Sequence, residues 1–155
     1  MIFPIPRFRS PTPVVSLGGS QFRQKPLIPI TVIGPSGQFV TQILVDSGAD
    51  DVVFAARQAP LLGVDLSGGA QRHAGGVGAQ APVGLVYAPV ILELADQVDV
   101  YRWRAVVAFA QTALRFPLLG VAGGLEHFVT GLNFSAGEIS LLPQPTLPVT
   151  QDARP

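Results

Sequence analysis

The chain has 155 residues, of which 48% are hydrophobic and 13% charged, and its ten basic and ten acidic residues give a formal net charge of +0. This balance excludes a disordered chain and argues against a nucleic-acid-binding protein that works by neutralising phosphates. There is no cysteine, which excludes a disulfide framework, a thiol nucleophile and a thiolate metal site. A net charge of zero also gives little electrostatic protection against self-association.

Residues 1–26 predict an extended N-terminal arm. Four prolines within residues 4–13 disfavour both a helix and a central strand. The arginines of the arm are few, so a solvated segment explains them more simply than a basic binding patch. The first residues lack the charged leader and apolar core of a signal peptide, and no apolar run reaches the length of a membrane span. We therefore expect a cytoplasmic protein with no membrane or nucleic-acid partner.

A hairpin that ends in an acid is predicted next. Residues 27–33 alternate and are rich in Ile and Val, which indicates a strand. Gly-Pro-Ser-Gly at residues 34–37 is a turn, and residues 39–45 form the returning strand. The apolar end of this strand predicts burial on both faces, so the carboxylate of Asp46 is held rigidly at the edge of the core.

Asp46 begins a tight turn with Ser47, Gly48 and Ala49. Gly48 permits backbone angles closed to other residues, and Ala49 is small enough for another backbone to approach. An Asp that merely starts a turn is the simplest interpretation of these residues alone. A second carboxylate against Asp46 would change the chemistry, because such a pair shares a proton and can hold a water as nucleophile.

The following residues predict further strands between polar or glycine-rich turns. The predicted elements are a short strand at residues 52–53, a helical turn within residues 54–62, a glycine-rich loop at residues 65–78, an extended segment at residues 83–86, and a hairpin of residues 89–94 and 100–109.

Residues 116–128 contain an apolar pair, Leu118 and Leu119, that runs into Gly120. A short helix is predicted for residues 124–128, and a closing hairpin for residues 129–142. The proline-rich residues 144–155 predict a disordered tail.

Residues 43–54, with the sequence Ile-Leu-Val-Asp-Ser-Gly-Ala-Asp-Asp-Val-Val-Phe, closely resemble the active-site segment of the retropepsin-like aspartic proteases, the family of the retroviral proteases. The resemblance implies that Asp46 is the catalytic acid and that Asp50 and Asp51 help to hold the substrate backbone. It covers residues 27–143 and implies an all-β fold, a closed β-barrel with a flap hairpin and one short helix near the C-terminus.

Two further segments match this family in order. The glycine-rich loop resembles the tip of a flap that closes over the substrate, and glycines suit a mobile lid that approaches a peptide backbone. Its matching residues are Gly75, Gly76, Val77 and Gly78. The second match is Leu118-Leu119-Gly120, which resembles the strand that crosses next to the acid turn. The viral enzymes carry an Arg after this glycine that pairs with the acid at the place of Asp50, whereas this chain has Val121. Either another arginine, Arg57 or Arg72, balances the charge of Asp50, or that charge is hydrated.

The chain has one acid motif and no internal repeat, so the resemblance implies a homodimer in which Asp46 and its mate meet on the two-fold axis. The function implied is an aspartic endopeptidase that needs no cofactor and cleaves an extended peptide or protein substrate. Ser47 would hydrogen-bond across the dimer beneath the acids. The alternative is an inactive peptide-binding or dimerisation module of the same fold.

Three other kinds of site are poorly supported by the residues. His73 and His127 lack the spacing of a metal site, so no metal is expected. Ser47 lacks the Gly-x-Ser-x-Gly setting of a nucleophile elbow. Residues 76–81 fit a loose dinucleotide-binding pattern, but Pro82 and the strand that follows exclude the helix which that pattern requires.

Overall fold

The computed structural model describes residues 1–75 and 82–148, and most of these residues lie in β-strands. The strands are β1 (Ile2–Pro4), β2 (Arg7–Val14), β3 (Ser20–Gln24), β4 (Leu27–Ile33), β5 (Gln38–Val45), β6 (Val53–Ala55), β7 (Gln71–Ala74), β8 (Val83–Ala95), β9 (Val100–Ala110), β10 (Leu118–Leu119), β11 (Phe128–Asn133) and β12 (Glu138–Pro143). The strands predicted for residues 27–33, 39–45 and 100–109 are confirmed as β4, β5 and β9, with bounds that differ by at most one residue.

The main sheet has seven strands in the order β4-β5-β10-β6-β9-β8-β7, and an additional pairing of β4 with β8 closes all of them except β7 into a ring. The length of β8 makes this possible. Its residues 85–95 pair with β9, while β7 pairs with residues 83–86 and β4 with residues 91–93. Because β7 flanks the ring rather than completing it, the β7–β8 hairpin is attached at its edge.

The core is formed mainly by the strands of this ring. Trp103, Phe54 and Phe109 are fully buried, and the rings of Phe54 and Phe109 are 6.2 Å apart. Trp103 lies on β9 between the more exposed Arg102 and Arg104, as the alternation of this strand predicts. Burial of these large side chains is the main stabilising term for the ring.

The segments on either side of the predicted 27–143 domain also contribute to the core. β1 pairs with β12, which pairs with β11, and Phe3 is buried. In the predicted tail, the backbone N–H of Gln144 donates to the carbonyl of His127 at 2.8 Å, and Leu147 is buried. The arm is therefore extended as predicted, but it is a paired part of the fold, and residues 144–148 pack on the body of the protein.

Helical structure is short. Within the described residues there is one α-helix, α1 (Ala59–Leu62), in the segment where a helical turn is predicted. The helix predicted for residues 124–128 is a single 3-10 turn, Leu125–His127, which ends where β11 begins at Phe128. The strand pairing of Phe128 with Pro143 prevents the turn from continuing. Two other 3-10 turns lie at Val15–Leu17 and Ala56–Gln58.

Candidate active site

Asp46 lies directly after β5, where the backbone turns away from the ring. Its N–H donates to the carbonyl of Leu119 at 3.1 Å, and its carbonyl accepts the N–H of Ala49 at 3.2 Å. The carboxylate oxygen Oδ1 accepts the N–H of Gly48 at 3.0 Å, a local turn that suits Asp. The half-buried carboxylate is thus oriented through one oxygen, and Oδ2 has no hydrogen-bond partner within the described residues.

The predicted Leu118-Leu119-Gly120 segment packs against this turn. β10 lies between β5, to which it is parallel, and β6, to which it is antiparallel. β5 and β6 are the strands before and after the acid turn, so β10 crosses between them. After β10, the N–H of Val121 donates to the carbonyl of Ala49 at 2.9 Å, and that of Ala122 donates to Asp50 at 2.8 Å.

Gly120 is required by the closeness of this crossing. A Cβ atom at this position would lie 2.1 Å from the carbonyl oxygen of Asp51 and 2.6 Å from that of Ala49. Both distances are far inside van der Waals contact, and both atoms belong to backbone that cannot rotate away. Glycine at this position therefore allows the backbone of the acid turn to contact the backbone of the crossing strand.

Trp103 and Glu126 hold the chain that follows the crossing. The indole Nε1 of Trp103 donates to the carbonyl of Gly123 at 2.9 Å, and Oε1 of Glu126 accepts the N–H of Gly123 at 2.6 Å. Because Trp103 is fully buried, this bond ties the segment to the core of the ring. The acid turn is thus supported on a rigid element, which is what precise positioning of a reactive group requires.

Tyr87 links Asp51 to the β7–β8 hairpin. The hydroxyl of Tyr87, on β8, donates to Oδ2 of Asp51 at 2.6 Å. Burial of the hydroxyl, this hydrogen bond and the charge of Asp51 raise the pKa of Tyr87 to about 12, while the charge of Arg72 acts in the opposite direction. The backbone N–H of Tyr87 donates to the carbonyl of Ala70 at 2.9 Å, so Tyr87 lies at the base of the β7–β8 hairpin.

The predicted flap is an antiparallel hairpin in its described part. Ala74 pairs with Val83, and Gly75 is exposed, so that a Cβ atom added there would meet nothing within 4 Å. The other residues predicted for the tip, Gly76, Val77 and Gly78, lie outside the described residues.

Asp50 and Ser47 are exposed. Within the described residues, neither Arg57 nor Arg72 forms an ion pair with Asp50, although Asp50 and Arg72 both lie near enough to influence the pKa of Tyr87. The hydroxyl of Ser47 makes no hydrogen bond in the part of the chain that the structure describes.

Tyr87 is the site residue that the sequence analysis does not identify. Its position on an apolar strand is typical of an ordinary core residue. One signal was available, since a tyrosine on a half-buried strand usually needs a partner for its hydroxyl. Nothing in the sequence indicates that Asp51 is this partner, because the two residues are 36 positions apart.

The raised pKa of Tyr87 gives a testable prediction. In a Tyr101→Phe background, which leaves Tyr87 as the remaining tyrosine, spectrophotometric titration should find ionisation near pH 12. Asp51→Asn should lower this pKa, because it removes a negative charge beside the hydroxyl. Asp65→Asn, a change to an exposed carboxylate elsewhere, should leave it unaltered. Equal pKa values in the Asp51→Asn and Asp65→Asn variants would contradict the hydrogen bond.

The same shift has a consequence for stability. The pKa of Tyr87 is higher in the folded chain than the value of about 10 expected in the unfolded chain. Its contribution to stability is therefore complete below pH ~10 and is lost as the pH rises towards ~12.

Within residues 1–75 and 82–148, no group of three or more His, Asp or Glu side chains could hold a metal ion. No helix of the described chain has the length and apolar character needed to span a membrane.

No protein-family model matches the chain, and no curated protein matches it at a significant level.

Proposed function

We propose that this chain is an aspartic endopeptidase of retropepsin-like fold that acts as a homodimer. The observation that carries the proposal is the packing of β10 between β5 and β6. This crossing holds Asp46, Ala49 and Asp50 by backbone hydrogen bonds at the edge of the ring. A strand that crosses beside the acid turn is what the resemblance of residues 43–54 and 118–120 implies for an enzyme of this family.

Two copies of Asp46 supply the chemistry. One carboxylate per chain cannot form an acid–base pair, but a two-fold axis beside the turn brings Asp46 and its mate together. Two carboxylates in contact share one proton, since ionising both is costly. The oxygen of a water attacks the scissile carbonyl carbon while the ionised member takes a proton from that water. The protonated member gives its proton to the carbonyl oxygen. The member that took the proton from the water then passes it to the amide nitrogen as the C–N bond breaks. A hydroxyl proton of the tetrahedral intermediate returns to the other member, and a carboxylic acid and an amine are released.

The geometry of the Asp46 carboxylate agrees with this role. Oδ1 is held by the N–H of Gly48, while Oδ2 has no partner in the described chain. One oxygen is thus fixed and the other is available for a water or for the second acid. The exposed Ser47 hydroxyl, which has no partner in the described residues, is available for the hydrogen bond across the dimer.

The substrate is an extended peptide that lies as a strand between the acid turns and the β7–β8 hairpins. Such a ligand is bound through its backbone, and pockets for alternate side chains provide selectivity. Asp50 and Asp51 follow the acid by four and five positions, and Asp51 is joined to the base of the β7–β8 hairpin by the hydroxyl of Tyr87. We assign them to contacts with the substrate backbone.

The test is cleavage of a diverse peptide mixture by the wild-type chain from acidic to neutral pH, with the oligomeric state measured at each pH. Cleavage that appears together with the dimer supports the proposal and yields the sequence preference. A folded dimer that binds peptides but cleaves none would reject it in favour of the inactive peptide-binding module.

A further inference from the structure

The charges of this chain are divided unequally along the sequence. Residues 1–45 contain four cationic residues and no Asp or Glu, so all ten acidic residues lie in the remainder. The cations are Arg7, Arg9, Arg23 and Lys25. None of these four forms an ion pair within the described residues. The N-terminal part is therefore positive, and the body of the protein is negative.

The cations lie on or beside a hairpin of β2 and β3, which we call the basic hairpin (residues 7–24). β2 and β3 pair with each other as a separate two-stranded sheet. A hairpin of this kind is marginally stable alone and needs another surface to pack against. At its base, Phe8 packs on Phe116 at 6.2 Å and Lys25 lies 5.0 Å from the ring of Phe116. The side chain of Gln24 also donates to the carbonyl of Phe134, and Leu17 of the turn lines a surface pocket with Phe134.

The turn of the basic hairpin is apolar and exposed. Val15 is 92% exposed and Leu17 is 53% exposed. Large apolar side chains grouped with cations that have no acidic partner are typical of a docking surface rather than of a solvated loop.

The base of the basic hairpin lies beside the acid turn. The N–H of Lys25 donates to the carbonyl of Pro6 at 3.2 Å and closes the hairpin, and the N–H of Val45 donates to the carbonyl of Pro26 at 2.8 Å. Asp46 is the next residue, so Pro26 lies within roughly 10 Å of it.

We infer that the basic hairpin is a docking arm that binds a second copy of this chain. This inference rests on the proposed two-fold axis at Asp46, because that axis places the base of each arm next to the partner. Each arm then meets the acidic body of the other copy, and the two contacts are equivalent by symmetry. Val15 and Leu17 are buried in this contact, while Arg9 and Arg23 provide charge complementarity at its rim.

A second copy fits the arm better than a polyanion does. Nucleic-acid binding depends on many cations that neutralise successive phosphates, whereas this hairpin has few and is attached to an acidic body. That body repels a nucleic acid or an anionic membrane, but it is itself the complementary surface for the arm of another copy.

The arm is tested by sedimentation of the full chain with Arg9→Glu and Arg23→Glu combined. Both arginines are exposed and neither stacks on an aromatic ring. We expect the dimer dissociation constant to rise on the order of 100-fold at low salt. Arg57→Glu with Arg104→Glu is the matched control, because it reverses two exposed arginines outside the arm and should change the constant less than about threefold.

Two further measurements complete the test. Raising the salt from about 0.05 to about 0.5 M should weaken the wild-type dimer and hardly affect the arm variant. Val15→Ser with Leu17→Ser alters only exposed side chains and should also weaken the dimer. Equal dimer affinity in arm and control variants would overturn the inference, as would a wild-type chain that stays monomeric, or one in which the arm binds only nucleic acid or anionic vesicles.

These outcomes are separable from the fate of the proposed function. If the wild-type dimer cleaves peptides and the arm variant also dimerises and cleaves normally, the docking role of the arm is rejected and the proposed protease function is kept. If the dimer depends on the arm but cleaves no peptide, the docking role of the arm is kept and the proposed protease function is rejected.

Discussion

Asp46→Asn is expected to lower peptide cleavage by at least about a thousandfold, a size typical of the loss of a group that transfers protons. Asn has nearly the shape of Asp, and its side-chain oxygen can still accept the N–H of Gly48. It cannot exchange a proton with a water or with a second carboxylate. The fold and the dimer should therefore persist while the chemistry is lost, which far-UV circular dichroism and sedimentation would verify beside the cleavage assay.

Asp65→Asn is the control for this change. The Oδ1 atom of Asp65 accepts the N–H of Ser67 at 2.9 Å, the same i to i+2 turn that Asp46 makes. Asp65 lies outside the candidate site, so its Asn variant should cleave at the wild-type rate. An Asp46→Asn chain that cleaved as fast as this control would refute the assignment of Asp46.

Mixing the two chains tests whether one active site needs two copies of Asp46. When wild-type and Asp46→Asn chains exchange subunits at equal concentration, about a quarter of the dimers have two acids. Activity per wild-type chain should then fall to about half of its value before mixing. A monomeric enzyme with all of its chemistry in one chain would lose none.

The strands could be predicted from the sequence because their signals are local. The alternation and β-branched residues of residues 27–33 define β4 with the predicted bounds, and the apolar stretch before Asp46 defines the end of β5. Gly120 was also predictable as part of a motif, since a glycine after an apolar pair is readable without knowing its neighbours.

The parts that could not be predicted depend on contacts between distant residues. A leucine among prolines gives no local sign of burial, yet Leu147 reaches the core. The prolines of the arm predict an extended segment and give no sign of a strand partner, but Ile2 to Pro4 pair with residues 138–140 at the other end of the chain. The bond from Tyr87 to Asp51 is of the same kind, because only the fold brings β8 to the acid turn.

Gly120→Ala is expected to cost about 3 kcal/mol of the free energy of unfolding, near the upper end of overpacking changes. The added Cβ would lie 2.1 Å from the carbonyl oxygen of Asp51, and the backbone there cannot move freely. Val121 and Ala122 donate hydrogen bonds to Ala49 and Asp50 on the same segment. Relief of the clash must therefore lengthen these bonds and displace the acid turn, so cleavage should fall even where the variant is folded.

Gly68→Ala separates this steric effect from the general effect of replacing a glycine. A Cβ atom added at Gly68 would meet nothing within 4 Å, so alanine should change stability by less than about 1 kcal/mol, with a gain expected from the lower entropy of the unfolded chain. Urea unfolding of both variants at one protein concentration is the measurement, because the stability of a dimer depends on concentration. If both alanine variants were equally stable, the crossing strand would not touch the acid turn, and the rigid support proposed for Asp46 would be lost with it.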